Sequence, residues 1–152
     1  MDDLRSKWKN YFWQSACATL AIFVVLALLS VDRAVIIASI GATTFIVFMT
    51  PDNPFATPRN VIGGHMVGVV TGALFALTPR VSPLVEAVWY ALAVGMCLFL
   101  MAATNTEHPP AAGTALSVAI SGFSWRVAVA VLASVVLFSF IQRLFRPYLK
   151  DL

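Results

Sequence analysis

The sequence predicts an all-α integral membrane protein, and three observations carry that prediction. Of its 152 residues, 60% are hydrophobic and 11% charged, and the mean hydropathy is +0.87, whereas soluble domains are about a quarter charged. The basic residues Arg5, Lys7, Lys9, Arg143, Arg146 and Lys150 cluster toward the two ends and dominate the net charge of +3. Finally, Glu107, His108, Pro109, Pro110, Ala111, Ala112, Gly113 and Thr114 lie among residues apolar enough for a bilayer. Hydrocarbon offers no water to the groups such a run leaves unpaired, so it marks a polar path through protein.

Residues 1–152 read as one domain, taken here in chain order. Residues 1–13 mix Leu4, Trp8, Tyr11, Phe12 and Trp13 with basic residues, as in a helix lying at the interface. A span from about Gln14 to Ser30 follows; without a small-residue cleavage site it reads as retained rather than as a signal peptide. Segment two, Arg33 to Thr50, contains Ser39, Gly41, Thr43 and Thr44, and leads into the proline-rich stretch Pro51 to Pro58, which is not helical throughout. Segment three, Arg59 to Leu77, carries His65 and a Gly64, Gly68, Gly72 series that lets two backbones approach closely, within one subunit or between subunits. Segment four, Pro83 to Ala103, is a conventional span with Trp89 and Tyr90 near an interface. Segment five, His108 to Gly122, is short and polar, and segment six, Trp125 to Phe145, is again conventional.

At an offset of 72 residues the first half (14–78) and the second (83–146) repeat one pattern, with Gly41 falling on Gly113. Interrupted segments at matching positions point to a transporter site. Two topologies fit: four spanning helices plus two half-helices or re-entrant segments, or six short spans. Either places seven basic residues on one side and three on the other. The first is preferred, because segment five is short and opens with two prolines. Both termini are expected in the cytoplasm of a bacterial cell, the chain crossing its inner membrane.

Pro109 and Pro110 read as a helix start that leaves the amides near Ala111 to Gly113 without intrahelical partners, a place for an anion. Thr114 adds a hydroxyl and His108 a ring NH; the competing reading is a kinked, packed helix with His108 bonded to a backbone carbonyl. Ser39, Gly41, Thr43 and Thr44 form the matching wall, although such hydroxyls often bond their own helix. Arg59 and Asn60 open segment three, and Arg59 either binds substrate or snorkels to headgroups. His65, in an apolar span, needs a partner and supplies charge when protonated. Glu107, Glu86 and Asp32 read as solvated or interfacial.

Cys17 and Cys97 lie in apolar stretches and suggest neither disulfide nor metal. No nucleophile elbow, zinc motif, Walker loop or paired buried carboxylate is present, so neither enzyme activity nor a cofactor is expected. The sequence carries no soluble basic patch for nucleic acid.

Three stretches resemble the HPP family of small integral membrane proteins: Ala38-Ser39-Ile40-Gly41-Ala42; Pro58-Arg59-Asn60-Val61-Ile62-Gly63-Gly64-His65; and Met101 and Thr104 with His108-Pro109-Pro110 and Thr114-Ala115-Leu116. The resemblance covers about residues 12 to 146 and implies a membrane domain of four spans, with nitrite transport known for plastid and cyanobacterial members. One departure is the glycine of Pro110-Ala111-Ala112-Gly113-Thr114, which comes one place later than the family commonly has it. The expectation is thus a transporter or channel for a small monovalent anion, nitrite or nitrate, bound by Ser39, Gly41, Thr43, Arg59, Asn60, His65, His108, Pro110, Gly113 and Thr114. It would sit in a lipid bilayer as a homo-oligomer. The alternatives are a non-transporting structural membrane protein and a proton-coupled carrier of another solute.

Overall fold

Prolines set half of the helix starts. In a computed structural model, which describes residues 2–29 and 34–152, the described residues are helical throughout apart from turns and loops. Helix α1 is Asp2–Leu29, α2 Ala34–Met49, α3 Pro58–Ala76, α4 Pro83–Thr104, α5 Pro110–Ser121 and α6 Trp125–Phe145, with short 3-10 turns at Pro54–Ala56 and Arg146–Tyr148. Pro58, Pro83 and Pro110 begin α3, α4 and α5, at a position where the missing NH has no intrahelical partner to lose. Thr57 and Ser82 cap α3 and α4 by accepting from the amides of Asn60 and Val85. Asn105, at φ 56°, closes α4 in the left-handed conformation.

One boundary differs from expectation. Residues 1–13 do not form a separate interfacial element: α1 passes through Gln14 without a break, because neither Gly nor Pro interrupts the chain before Leu29. Asp32 and Arg33 lie outside the described residues, as do the side chains of Arg5 and Lys7.

Contacts between the helix ends fix the direction of each helix. Gln14 donates from Nε2 to the carbonyls of Phe48 (2.5 Å) and Lys150 (2.8 Å), and the amide of Leu152 donates to Met49 O at 3.1 Å. Arg146 pairs with Asp52, and Arg59 donates to Thr104 O at 3.0 Å. The end of α2, the start of α3 and the ends of α4 and α6 therefore share one end of the bundle. At the other end Arg80 donates to the carbonyls of Ala119 (3.3 Å) and Ile120 (2.9 Å), near the end of α5. Successive helices thus run in opposite directions. Neither α2 nor α5 turns back on itself, so neither is a re-entrant hairpin, and α5, at 12 residues, has the length of a half-helix. Helices related by the 72-residue offset also run in opposite directions. At 1.5 Å per residue α5 is about 18 Å long, against a hydrocarbon layer of about 30 Å.

The glycine ladder of α3 packs on α5 inside the same chain. A Cβ at Gly68 would lie 2.5 Å from Ala111 O, one at Gly72 2.6 Å from Ala115 O, and one at Gly64 2.7 Å from the His108 Cβ. The ladder is therefore used within the subunit and leaves no argument for an oligomer contact. Phe48 and Phe138 meet edge to face at 6.1 Å in a core shared by α2 and α6. Helix α4, by contrast, turns Leu84, Val88, Leu92, Met96 and Phe99 outward, a long apolar face that water would not tolerate. Two helical stretches among the described residues, Pro83–Thr104 and Trp125–Tyr148, are long and apolar enough to cross a membrane.

Gln14 ties α1, the end of α2 and the C-terminal segment together while fully buried. Gln14→Leu is expected to leave two carbonyls without their side-chain donor and cost about 1–3 kcal/mol. Thermal unfolding in detergent checks this, and a wild-type melting temperature would show that the amide contributes nothing.

Candidate functional site: a buried chain of hydroxyls and imidazoles

The polar residues of the apolar segments meet in one place. Thr43 lies six residues before the end of α2 and His65 seven residues into α3, each roughly 10 Å from the helix end. Helix α5 begins at the same level, so His108 and Thr114 face them from the other half of the chain. Ser39 stands one turn from Thr43 on the same face of α2.

Thr43 Oγ1 bridges the two rings, 2.9 Å from His65 Nε2 and 3.0 Å from His108 Nε2. The ring centroids are 5.2 Å apart. His65 Nδ1 lies 2.9 Å from Thr114 Oγ1, which is 2.8 Å from Ser39 Oγ, and Ser39 donates to Pro110 O at 2.6 Å. His108 Nδ1 lies 2.8 Å from Phe55 O. A carbonyl only accepts, so the proton of neutral His108 is assigned to Nδ1 and its Nε2 accepts. Thr43, His65, His108 and Thr114 are fully buried and Ser39 nearly so. Each finds the partner that burial demands.

Six of the expected site residues are thus brought together: Ser39, Thr43, His65, His108 and Thr114 by side chain, Pro110 by its carbonyl. Gly113 flanks them, since a Cβ there would touch that of Ser39 at 3.4 Å. The other three stand apart. Gly41 is inside the continuous α2, with no atom within 4 Å of a Cβ placed on it, so no helix start exists there and Gly113 faces Ser39 instead. Arg59 is exposed at the bundle end, where a cation suits the C-terminal carbonyls of α4. Asn60 bonds Pro54 O at 3.1 Å.

The helix-start geometry is also corrected. Pro109 is already helical (φ −49°, ψ −38°), and the amides of Ala111 and Ala112 donate to His108 O (2.9 Å) and Pro109 O (3.1 Å). Two of the three amides expected to await an anion are therefore satisfied by a tight first turn. The carbonyl partner of His108 is the one the competing reading expected, and the structure identifies it as Phe55 O; the acceptor Pro110 O escaped sequence reasoning, as did Gln14. Only the polarity of Gln14 within an apolar run signalled it.

Helices with apolar outer faces around a sealed polar cluster define a membrane-embedded helical protein. The chain belongs to the HPP transmembrane family, whose model for the HPP transmembrane region matches residues 3–150. It is similar to two transmembrane proteins of Dictyostelium discoideum. One is 38% identical over 88 residues, 58% of this chain and 31% of the relative; the other is 33% identical over 92 residues, 60% of this chain and 30% of the relative. The chain spans about a third of the length of these curated relatives. No solved structure matches it.

Proposed function

We propose that this membrane protein transports a small monovalent anion, nitrite before nitrate, rather than acting as an enzyme. The observation that carries the reading is the buried chain itself, in which Ser39, Thr43 and His65 from the first half meet His108 and Thr114 from the second. Sites of this kind lie where inverted halves meet. The path follows α5, where Pro110, Thr114, Ser117 and Ser121 recur at helical spacing on one face. Ser117 Oγ is buried without a hydrogen-bond partner among the described residues, which suits a hydroxyl met by a passing anion. Arg59 stands at one end of the bundle and Arg80 at the other. Since the α5 amides are engaged, these cations supply the attracting potential.

In this reading all six helices cross, α5 where the bilayer is locally filled by protein. The end carrying Lys9, Arg59, Arg143, Arg146 and Lys150 faces the cytoplasm of a bacterial cell. Six helices packed on one another enclose little space, and a homo-oligomer completes the path.

The test is anion flux in proteoliposomes, comparing nitrite, nitrate, chloride and formate. Nitrite is expected to move fastest. Arg59→Gln should slow it about tenfold while Arg59→Lys stays near wild type, because a cation at the bundle end acts as a charge. Equal flux in wild type and Arg59→Gln would return Arg59 to its role at the end of α4. One observation favours a second reading, of structural glue: the polar groups are sealed from outside. Absence of flux for all four anions would decide for it.

A further inference from the structure

The protons of the buried chain can be counted. Six contacts run in series: Phe55 O to His108 Nδ1, His108 Nε2 to Thr43, Thr43 to His65 Nε2, His65 Nδ1 to Thr114, Thr114 to Ser39, and Ser39 to Pro110 O. All lie between 2.6 and 3.0 Å, and each needs one proton to be a hydrogen bond. Both ends are carbonyls, which supply none. Between them stand three hydroxyls and two imidazoles, each with one proton when neutral. Five protons therefore serve six contacts, and somewhere two lone pairs face each other. Thr43 also reaches Ser39 O at 3.1 Å, which adds an acceptor and no proton.

One added proton completes the series. Ser39 then donates to Pro110 O, Thr114 to Ser39, His65 Nδ1 to Thr114, and His108 Nδ1 to Phe55 O. Two arrangements remain at the centre. Either His65 carries both protons, with its Nε2 donating to Thr43 and Thr43 donating to His108, or His108 carries both and the donations reverse. They interconvert when the N–H bond of one ring breaks as Thr43 gains that proton, while the O–H bond of Thr43 breaks as the other ring gains its proton. No atom or charge is left over. We propose that this chain is a binding site for one proton, shared by His65 and His108 through Thr43.

Among the described residues the surroundings supply no fixed counter-charge; on α1 the one described charged side chain, Lys9, is exposed. Helices α2 and α5 contain no titratable residue. On α6 these are Arg126 and Arg143, both exposed near its ends. On α4, Glu86 accepts from Tyr90 at 3.0 Å and Cys97 reaches Ala111 O at 3.8 Å. On α3, Arg59 is held at Thr104 O, and Glu107 precedes His108 half-buried. A single positive charge on the rings is therefore matched by a monovalent anion, so that proton and anion move together. That coupling rests on the transport reading; the proton site does not.

The test uses the full chain in lipid nanodiscs with 15N-labelled histidine. His65 and His108 are the only two histidines, so the spectrum contains two rings. On titration from about pH 8 to about pH 4, one proton should enter per chain, the two Nε2 signals shifting together while His108 Nδ1 stays protonated throughout. Ser39→Ala removes two contacts and one proton, leaving four protons for four contacts. Proton affinity should then fall about tenfold, one pH unit of midpoint. Thr44→Val removes a hydroxyl that bonds Ile40 O outside the chain and should titrate as wild type. Rings that stay neutral over the whole range in the wild-type protein overturn the proposal even if Ser39→Ala fails to fold, and so does a folded Ser39→Ala titrating like wild type. Nitrite flux without accompanying proton uptake overturns the coupling alone. Proton binding without nitrite flux overturns the transport reading and leaves the site standing.

Discussion

Gly68→Ala is expected to lower the melting temperature sharply, although it adds a single methyl group. The new Cβ would lie 2.5 Å from Ala111 O and 3.3 Å from the Thr114 Cβ. A backbone carbonyl cannot rotate away as a side-chain tip does, so α5 must move from α3 along their most extensive interface. Overpacking of this kind costs about 1–3 kcal/mol and sometimes more. Here it also pulls Thr114 from His65. Gly95→Ala is the control, because a Cβ there meets no atom within 4 Å; inside α4 it should stabilise by about 1 kcal/mol through helix propensity. Size-exclusion profiles and melting temperatures in detergent separate the two. A Gly68→Ala protein that melts like wild type would mean that the two helices do not pack this closely.

The same residues show how far the sequence could be read. Helix starts were legible nearly to the residue, segment three from Arg59 against Pro58, segment four from Pro83 itself and segment five from His108 against Pro110, because proline acts locally, through its own φ and missing NH. The run of α1 through Gln14 was less so, because aromatic and basic residues suit an interfacial helix whether or not it continues into a span. His65, His108, Thr43, Ser39 and Thr114 stood out by the cost of burying them. Who bonds whom did not: Ser39 and Thr114 are 75 residues apart and His65 and Thr114 49, and such pairings depend on the register of helices past one another. The paired-glycine idea failed for the same reason. Gly41 and Gly113 match along the sequence, but α2 and α5 run in opposite directions, and the residue opposite Gly113 is Ser39. The free amides expected at α5 were a local inference that missed a local alternative, a first turn tight enough to use Ala111 and Ala112 internally.

Thr43→Val and Thr44→Val should give opposite results, although the two residues are adjacent, alike and both buried. Among the described residues Thr44 Oγ1 donates to Ile40 O alone, at 2.8 Å, on its own helix. That carbonyl belongs to a helical ladder in which the hydroxyl is an accessory, so valine there should change stability by less than about 0.5 kcal/mol and leave flux unaltered. Among the described residues Thr43 is the one hydrogen-bonding link between the rings. Valine there keeps the shape and removes the proton that passes between them. His108 still places its proton on Nδ1 for Phe55 O, and His65 turns its own to Thr114. Two Nε2 lone pairs are then left facing a methyl group, at about 1–3 kcal/mol for each buried acceptor without a donor. The proton can no longer move from one ring to the other by way of the hydroxyl. Nitrite flux in Thr43→Val proteoliposomes should fall at least about tenfold, the factor equal to 1.4 kcal/mol, while the protein stays folded at reduced melting temperature. Thr43→Ser restores the hydroxyl and should recover most of the flux. If Thr43→Val melts lower but transports at the wild-type rate, the chain of hydroxyls and imidazoles holds the helices together and the anion passes elsewhere.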